Sequence, residues 1–438
     1  MMPSSVDHSM QPDLVCVGLN HQRAPVEIRE KAAFHAMNVD DALRSILACD
    51  AVDEAAILST CNRVELYAHG NWTKAQNSLE DFLHQYHGIP ERALSPHIYR
   101  FNGINALAQL FRVATSVDSL MIGEPQILGQ VKEAYSRAHK AGSVGPSLTQ
   151  AFSQAFFTAK RVRSETAIGK NAVTVSFAAA QLAQKVFGNL NGLSCLLIGA
   201  GEMSELAAQY FKKKGAHIIV ANRSLAHAQI LSQKYNGQAH DLENIASVLE
   251  TADVVLTSTA SSKVLISVEL MRRVMRARRY RPIFLVDIAV PRNIDPQISD
   301  MDGVYLYNID DLALVAANNF QDRHKEEILA EIIIQEELQS YTKKCQEKRV
   351  APLIATLKKQ SFQIADQEIA KILASSNSEI SLEMRQKIEQ MAHAIVNKML
   401  HKPIIELKTC AKENTDHEQT IALTEKLFGI TSPLTRHS

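Results

Sequence analysis

The sequence has no apolar run long enough to cross a bilayer, and its first dozen residues are polar with no signal-peptide core. The expectation is therefore a cytoplasmic protein with no membrane partner. Its six cysteines (Cys16, Cys49, Cys61, Cys195, Cys345 and Cys410) are scattered and form no CxxC pair. That argues against a disulfide framework or a zinc site, and no metal is expected. Neither sign of charge is in excess, since 47 Lys and Arg balance 47 Asp and Glu. Charge alone gives no reason to invoke nucleic acid, so any such contact needs a local patch. Internal repeats and low-complexity tracts are also missing. What remains is a chain of 438 residues with ordinary globular composition, too long for one core and suited to two or three domains.

Hydrophobic periodicity divides the chain into three regions. In the first, "LVCVGLN" (14–20) reads as a buried strand, "VEIREKAAF" and "VDDALRSILA" as helices, and "AAILST" and "RVELYAH" as strands on either side of Cys61. From Gly103 to about Phe187 the pattern is helical. It includes Ile127, Val131, Ala134 and Ala138 at helical spacing, with Gly142 as a stop. In the second region short apolar strands ("LSCLLIG", "HIIVANRS", "ADVVLTSTA", "PIFLVDIAVP") alternate with helices, which implies a parallel sheet covered on both faces. The third region is helical. It opens with a charged stretch over 322–348, and Pro352 suits the first turn of the next helix. Met384, Ile388, Met391, Ile395 and Met399 form an apolar stripe that reads as a bundle core. Peripheral bundles of this kind often pair with a second copy, so a homodimer through the C-terminal helices is expected.

Two stretches carry chemistry. "GAGEMS" (Gly199, Ala200, Gly201, Glu202, Met203, Ser204) has the form G-x-G-x-x-small, follows a strand and opens a helix. Gly199 permits a tight turn, Gly201 lets backbone N–H groups approach a pyrophosphate, and Ser204 takes the packing position. The next strand ends in Asn222, Arg223 and Ser224, where an NAD site would carry an acidic residue. A cation there suits a 2′-phosphate and favours NADPH, although Arg223 is also compatible with simple solvation. The other stretch is "LSTCNRVELYA" (58–68), which sets Cys61 at a strand-to-strand corner two residues before Arg63. An adjacent cation favours thiolate, and a thiol paired with a hydride donor points to thioester formation followed by reduction to an aldehyde. An inert buried thiol is the competing reading.

The blocks "GLNHQRAPVEIREKAAF", "LSTCNRVELY", "SVDSLMIGEPQILGQVKEAY", "GAGEMSELAA", "ANRS", "LVDIAVPRNIDP" and "YLYNIDDL" resemble, in this order, those of the glutamyl-tRNA reductase family, from about Leu14 to Leu312. The resemblance implies NADPH-dependent reduction of glutamyl-tRNA(Glu) to glutamate-1-semialdehyde, the first committed step toward 5-aminolevulinate and tetrapyrroles. It implies Cys61 as nucleophile, and Thr60, Asn62, Arg63, Ser119, Glu124, Pro125, Gln126 and Gln130 at the substrate positions. Arg63 is expected to clamp a substrate carboxylate and Glu124 to pair with the ammonium. Glu124 is also compatible with a carboxylate in a helix's first turn. The implied architecture is an α/β catalytic domain with a small sheet (1–165), a Rossmann-like NADPH domain (166–312) and an all-α dimerisation domain on a long spinal helix (313–438). Hand-over of the aldehyde to a glutamate-1-semialdehyde aminomutase is a further family expectation.

One departure stands out: many members carry histidine where this chain has Gln109. Gln cannot exchange a proton near neutral pH, and His21 and His97 are the candidate substitutes. The basic run "RRVMRARRYR" (272–281) reads as a solvated helix face rather than a tRNA site. Two other classes stay open: an NADP oxidoreductase acting on a free small acid with Cys61 incidental, and a non-catalytic scaffold.

Overall fold

The computed structural model describes residues 13–35, 37–49, 51–124, 126–169, 175–259, 261, 263–312, 323–375, 381–413 and 417–430. The chain divides into one compact unit over Asp13–Glu336 and another that begins at Glu337.

The larger unit holds two sheets. Strands β1 (Leu14–Asn20), β2 (Val52–Ser59), β3 (Arg63–Gly70) and β4 (Tyr99–Asn102) form an antiparallel sheet in the order β2-β3-β1-β4. Every residue of β1 is buried, because β1 lies inside the sheet with helices packed on it. Around this sheet lie α1 (Val26–Ala32), α2 (Val39–Leu47), α3 (Trp72–His87), α4 (Glu91–Leu94), α5 (Gly103–Ala114), α6 (Gln126–Lys140) and α7 (Pro146–Glu165). In α6, Ile127, Val131 and Ala138 are buried, and the helix is followed by Gly142 at positive φ.

The second sheet is wholly parallel. Strands β5 (Ser194–Ile198), β6 (His217–Asn222), β7 (Gln238–Asp241), β8 (Val254–Thr257), β9 (Ile283–Asp287) and β10 (Val304–Asn308) run in the order β10-β9-β8-β5-β6-β7. This is the doubly wound dinucleotide order, with its switch point between β5 and β8. Helices α8 (Val175–Phe187), α9 (Glu202–Lys213) and α10 (Leu225–Lys234) cover one face, and α11 (Ile245–Thr251) and α12 (Val268–Ala277) the other. Helices cover both faces of the central strands, so β5, β8 and β9 are buried and mostly apolar, whereas the edge strand β7 is polar and partly exposed. The basic run divides by helix geometry. Met271, Val274 and Met275 face the core, and Arg272, Arg273 and Arg276 are exposed. Arg278 turns inward and donates to the carbonyls of Leu249, Glu250, Ala252 and Pro282.

The C-terminal helices correct two expectations. A single helix runs Arg323–Ser375 straight through Pro352, so that proline does not open a new helix. Apolar packing spans the position: Val350, Leu353, Ile354 and Leu357 join Leu400, Leu407 and Ile430 in one cluster, which offsets the lost hydrogen bond. The methionine stripe lies on the helix Leu382–Glu413, but it is not a core within the chain. Met384, Met391, Ile395 and Met399 are 54, 60, 50 and 72% exposed. Among the described residues no helix is long and apolar enough to cross a membrane.

Candidate functional site

The β2–β3 connection is a tight corner built by its own sequence. Ser59 pairs with Val64, and the Thr60 amide donates to the Arg63 carbonyl at 2.9 Å. The Thr60 hydroxyl accepts from the amides of Asn62 and Arg63, each at 3.2 Å, so a side chain with a local acceptor fixes the turn. Cys61 sits at its tip, half-buried, whereas Cys16 and Cys195 are fully enclosed in strands. Cys61 packs on the apolar cluster formed by α8, α9, α10 and the parallel sheet, together with Leu120 and Met121. Burial and the nearby Glu124 carboxylate push its thiol up to about 12, against the cation of Arg29.

That cation corrects the sequence reading, which assigns the role to Arg63. Arg29, on α1, is 1% exposed. It donates from Nη1 to the Cys61 carbonyl at 2.6 Å and from Nε to the Ala24 carbonyl at 3.2 Å. Periodicity places Arg29 on a helix but cannot show that it turns inward across 32 residues of separation. Arg63 points away from the thiol. Its Nη1 donates to Glu65 at 2.8 Å and Asp118 at 3.0 Å, and its Nη2 to the Asp118 carbonyl at 2.6 Å. Tyr67 and Tyr99 donate to the same Glu65 carboxylate. Gln109 closes this buried network, donating to Glu65 at 2.9 Å and to Asp118 at 2.7 Å. Burial would raise Asp118, but Arg63 overcomes it and holds the carboxyl below the usual range. Gln109 therefore bridges two acceptors with its amide N–H groups, where a proton exchanger would sit between charges.

On the other side of Cys61, burial and then Glu202 push Glu124 up to about 7. Glu202 opens α9, so Glu124 lies within electrostatic reach of the glycine loop. Gln126, the first residue of α6, is buried with no hydrogen-bond partner for its amide nitrogen among the described residues. Ser119 is half-buried and Gln130 is exposed on α6. Pro125 lies outside the described residues. Asn62 is buried and accepts from Arg29 at 3.4 Å. His21 is held neutral, lowered to about 4 by burial and then by Arg63, with its Nδ1 unpartnered among the described residues. His97 instead donates to the Arg23 carbonyl at 2.5 Å, a structural contact.

The glycine loop fits a dinucleotide. Gly199 adopts φ +107°, and a Cβ there would meet the Ser258 carbonyl at 2.4 Å. A Cβ on Gly201 would stand in open space at the N-terminus of α9, whose cap makes no side-chain hydrogen bond. Amides and helix dipole are thus both available to an anion. Ala200 and Met203 pack on the core, and Ser204 is fully buried with its hydroxyl unpartnered among the described residues. Asn222 donates to the Ser224 carbonyl at 3.1 Å, which shapes the end of β6 and leaves Arg223 exposed. That arrangement suits a 2′-phosphate. Asp287 pins the neighbouring loop. It accepts from Thr257 at 2.6 Å and from the amides of Ala289, Asn293 and Ile294 at 3.1, 2.7 and 2.8 Å, and burial pushes it up to about 6. No group of three metal-ligating side chains exists among the described residues.

Comparison with known proteins agrees with this layout. Residues 17–166 match the family described as glutamyl-tRNAGlu reductase, N-terminal domain, and residues 329–430 its dimerisation domain. Residues 181–315 match the shikimate / quinate 5-dehydrogenase family. The glutamyl-tRNA reductase of Syntrophotalea carbinolica is 42% identical over 92% of this chain and 91% of its own. That of Geobacter sulfurreducens is 43% identical over 90% of this chain and 92% of its own. The solved structure of the Methanopyrus kandleri glutamyl-tRNA reductase aligns with a TM-score of 0.50 at 31% identity, covering 95% of this chain and 98% of that one. With this similarity running through nearly the whole length, the chain belongs to the glutamyl-tRNA reductase family.

Proposed function

We propose that this protein reduces glutamate esterified to tRNA(Glu) to glutamate-1-semialdehyde, through a thioester on Cys61. The Cys61 sulfur attacks the ester carbonyl. The bond to the ribose oxygen breaks, and the tRNA leaves as its free hydroxyl with the thiol proton. When bound, NADPH supplies the hydride that reduces the thioester carbonyl carbon. The carbon–sulfur bond then breaks, and the thiolate takes a proton back from solvent. Sulfur leaves the tetrahedral carbon far more readily than hydride or carbon does, so this step can proceed with Gln109 in place of a side-chain acid.

The observation that supports this reading is the position of Cys61 at a strand corner packed on the dinucleotide fold, with Glu124 close enough to act on its thiol. Around it, Glu124 pairs with the substrate ammonium, and the buried Gln126 amide donates to the glutamyl group. Ser119 and Gln130 border the same site, and Pro125 is assigned to it by the family pattern alone. Thr60 and Asn62 hold the nucleophile's turn. Arg63 acts in this arrangement by ordering Asp118 and Glu65, since its own fork is already filled. Gly199 to Ser204 cradle the pyrophosphate of NADPH, and Asn222, Arg223 and Ser224 receive its 2′-phosphate.

The chain divides its labour among a catalytic part (1–165), a nucleotide part (166–312) and a helical part (313–438) that pairs two copies through the exposed methionine stripe. It works in the cytoplasm and passes its aldehyde to a glutamate-1-semialdehyde aminomutase. Cys61→Ser tests the chemistry. Turnover of glutamyl-tRNA should collapse while NADPH binding persists. Retained turnover would indicate an oxidoreductase acting independently of the thiol, and absence of turnover in both proteins a scaffold.

A further inference from the structure

We propose that α1 is a docking helix. Three ion pairs of opposite sense, Arg29 to Asp310 and Arg292 to Glu30 and Glu27, set the register of the Cys61 corner against the nucleotide fold. The inference rests on the thioester reading above and assigns positioning roles to residues outside the substrate and cofactor sets.

Both ends of each pair are built to be rigid. Arg29 is buried and donates in a fork to the Asp310 carboxylate at 2.5 and 2.6 Å. Asp310 follows β10 in a turn held by Asn308, whose side chain accepts from the amides of Asp310 and Asp311 at 2.8 and 3.1 Å. In the reverse direction Arg292 donates to Glu30 from its amide, Nε and Nη2 at 2.6, 2.9 and 3.1 Å, and to Glu27 from Nη1 at 3.0 Å. Its neighbours Asn293 and Ile294 are tied to the buried Asp287. Bidentate arginine–carboxylate pairs fix orientation as well as distance, and the buried Arg29 loses a charge partner when Asp310 is neutralised.

The link to chemistry is direct. The guanidinium that grips Asp310 also donates to the Cys61 carbonyl at 2.6 Å. A shift of the nucleotide fold therefore pulls on the backbone of the nucleophile. Docking also packs the thiol against apolar side chains of the nucleotide fold. Reduction needs the thioester held against the nucleotide fold and so belongs to the docked arrangement, whereas attack on the ester does not require docking. Variants that weaken the pairs should separate the two half-reactions.

The test uses the full-length protein with Asp310→Asn, with Arg292→Glu, and with Arg292→Glu combined with Glu30→Arg. Iodoacetamide labelling of Cys61, followed by peptide mapping without substrate or cofactor, should run about five-fold faster in both single variants. Acyl-enzyme formation from glutamyl-tRNA without NADPH should stay within about two-fold of wild type, while single-turnover reduction slows about ten-fold or more. The charge-swapped double variant should recover most of that loss, which a variant that is only misfolded would not do. Unchanged labelling, equal loss of both half-reactions, or a double variant as slow as the single one would overturn the docking role. Failure of wild type to form an acyl-enzyme would instead overturn the thioester reading, with the labelling arm still deciding the docking.

Discussion

Around Cys61 two carboxylates experience opposite fields. Asp118 is held ionised by Arg63, whereas Glu124 is buried and faces the charge of Glu202. A raised carboxyl favours the protonated folded state, so its stabilising balance is intact below the ordinary carboxylate range. It is lost as pH rises from 4.5 through about 7. Glu124→Gln should therefore stabilise the protein at pH 8, on the order of 1–3 kcal/mol, and by much less at pH 5. Thermal unfolding of both proteins at the two pH values checks this, and an equal shift at both would refute it. Gln109→Leu removes donors to Glu65 and Asp118, and should cost about 1–3 kcal/mol in denaturant titration. At this scale the sequence is only partly legible. The motif gives Cys61 and its turn, because Thr60 acts locally. The Arg29 contact and the inward turn of Arg63 are set by packing between distant segments, which periodicity does not encode.

At the scale of elements, the strand-to-helix turn at 199–204 separates conformational need from space for a ligand. Gly199→Ala forces a Cβ against the Ser258 carbonyl and a positive φ, and should destabilise the fold. Gly201→Ala meets nothing in the protein, so its thermal stability should stay close to wild type while NADPH affinity falls about ten-fold or more, read by nicotinamide fluorescence. A loss of stability with unchanged affinity would remove Gly201 from the cofactor site. At this scale the sequence is most legible, because alternating apolar strands and helices dictate the doubly wound sheet. The helix through Pro352 is the exception, since a local rule against proline yields to apolar contacts on both sides of it.

For the whole molecule, the exposed stripe of Met384, Met391, Ile395 and Met399 is the apolar surface a second copy would cover. Met391→Glu with Met399→Glu should convert a dimer to a monomer in sedimentation, and a persistent dimer would place the interface elsewhere. Residue, element and assembly meet in the claim that the Cys61 sulfur takes the amino acid from its RNA carrier before reduction. The most direct test incubates the protein with tRNA carrying radiolabelled glutamate, without NADPH, and then isolates the protein under denaturing acid. Label should be found covalently bound to the Cys61 peptide, sensitive to hydroxylamine and absent from Cys61→Ser. Label that never leaves the tRNA, or that binds equally to the serine variant, would contradict it.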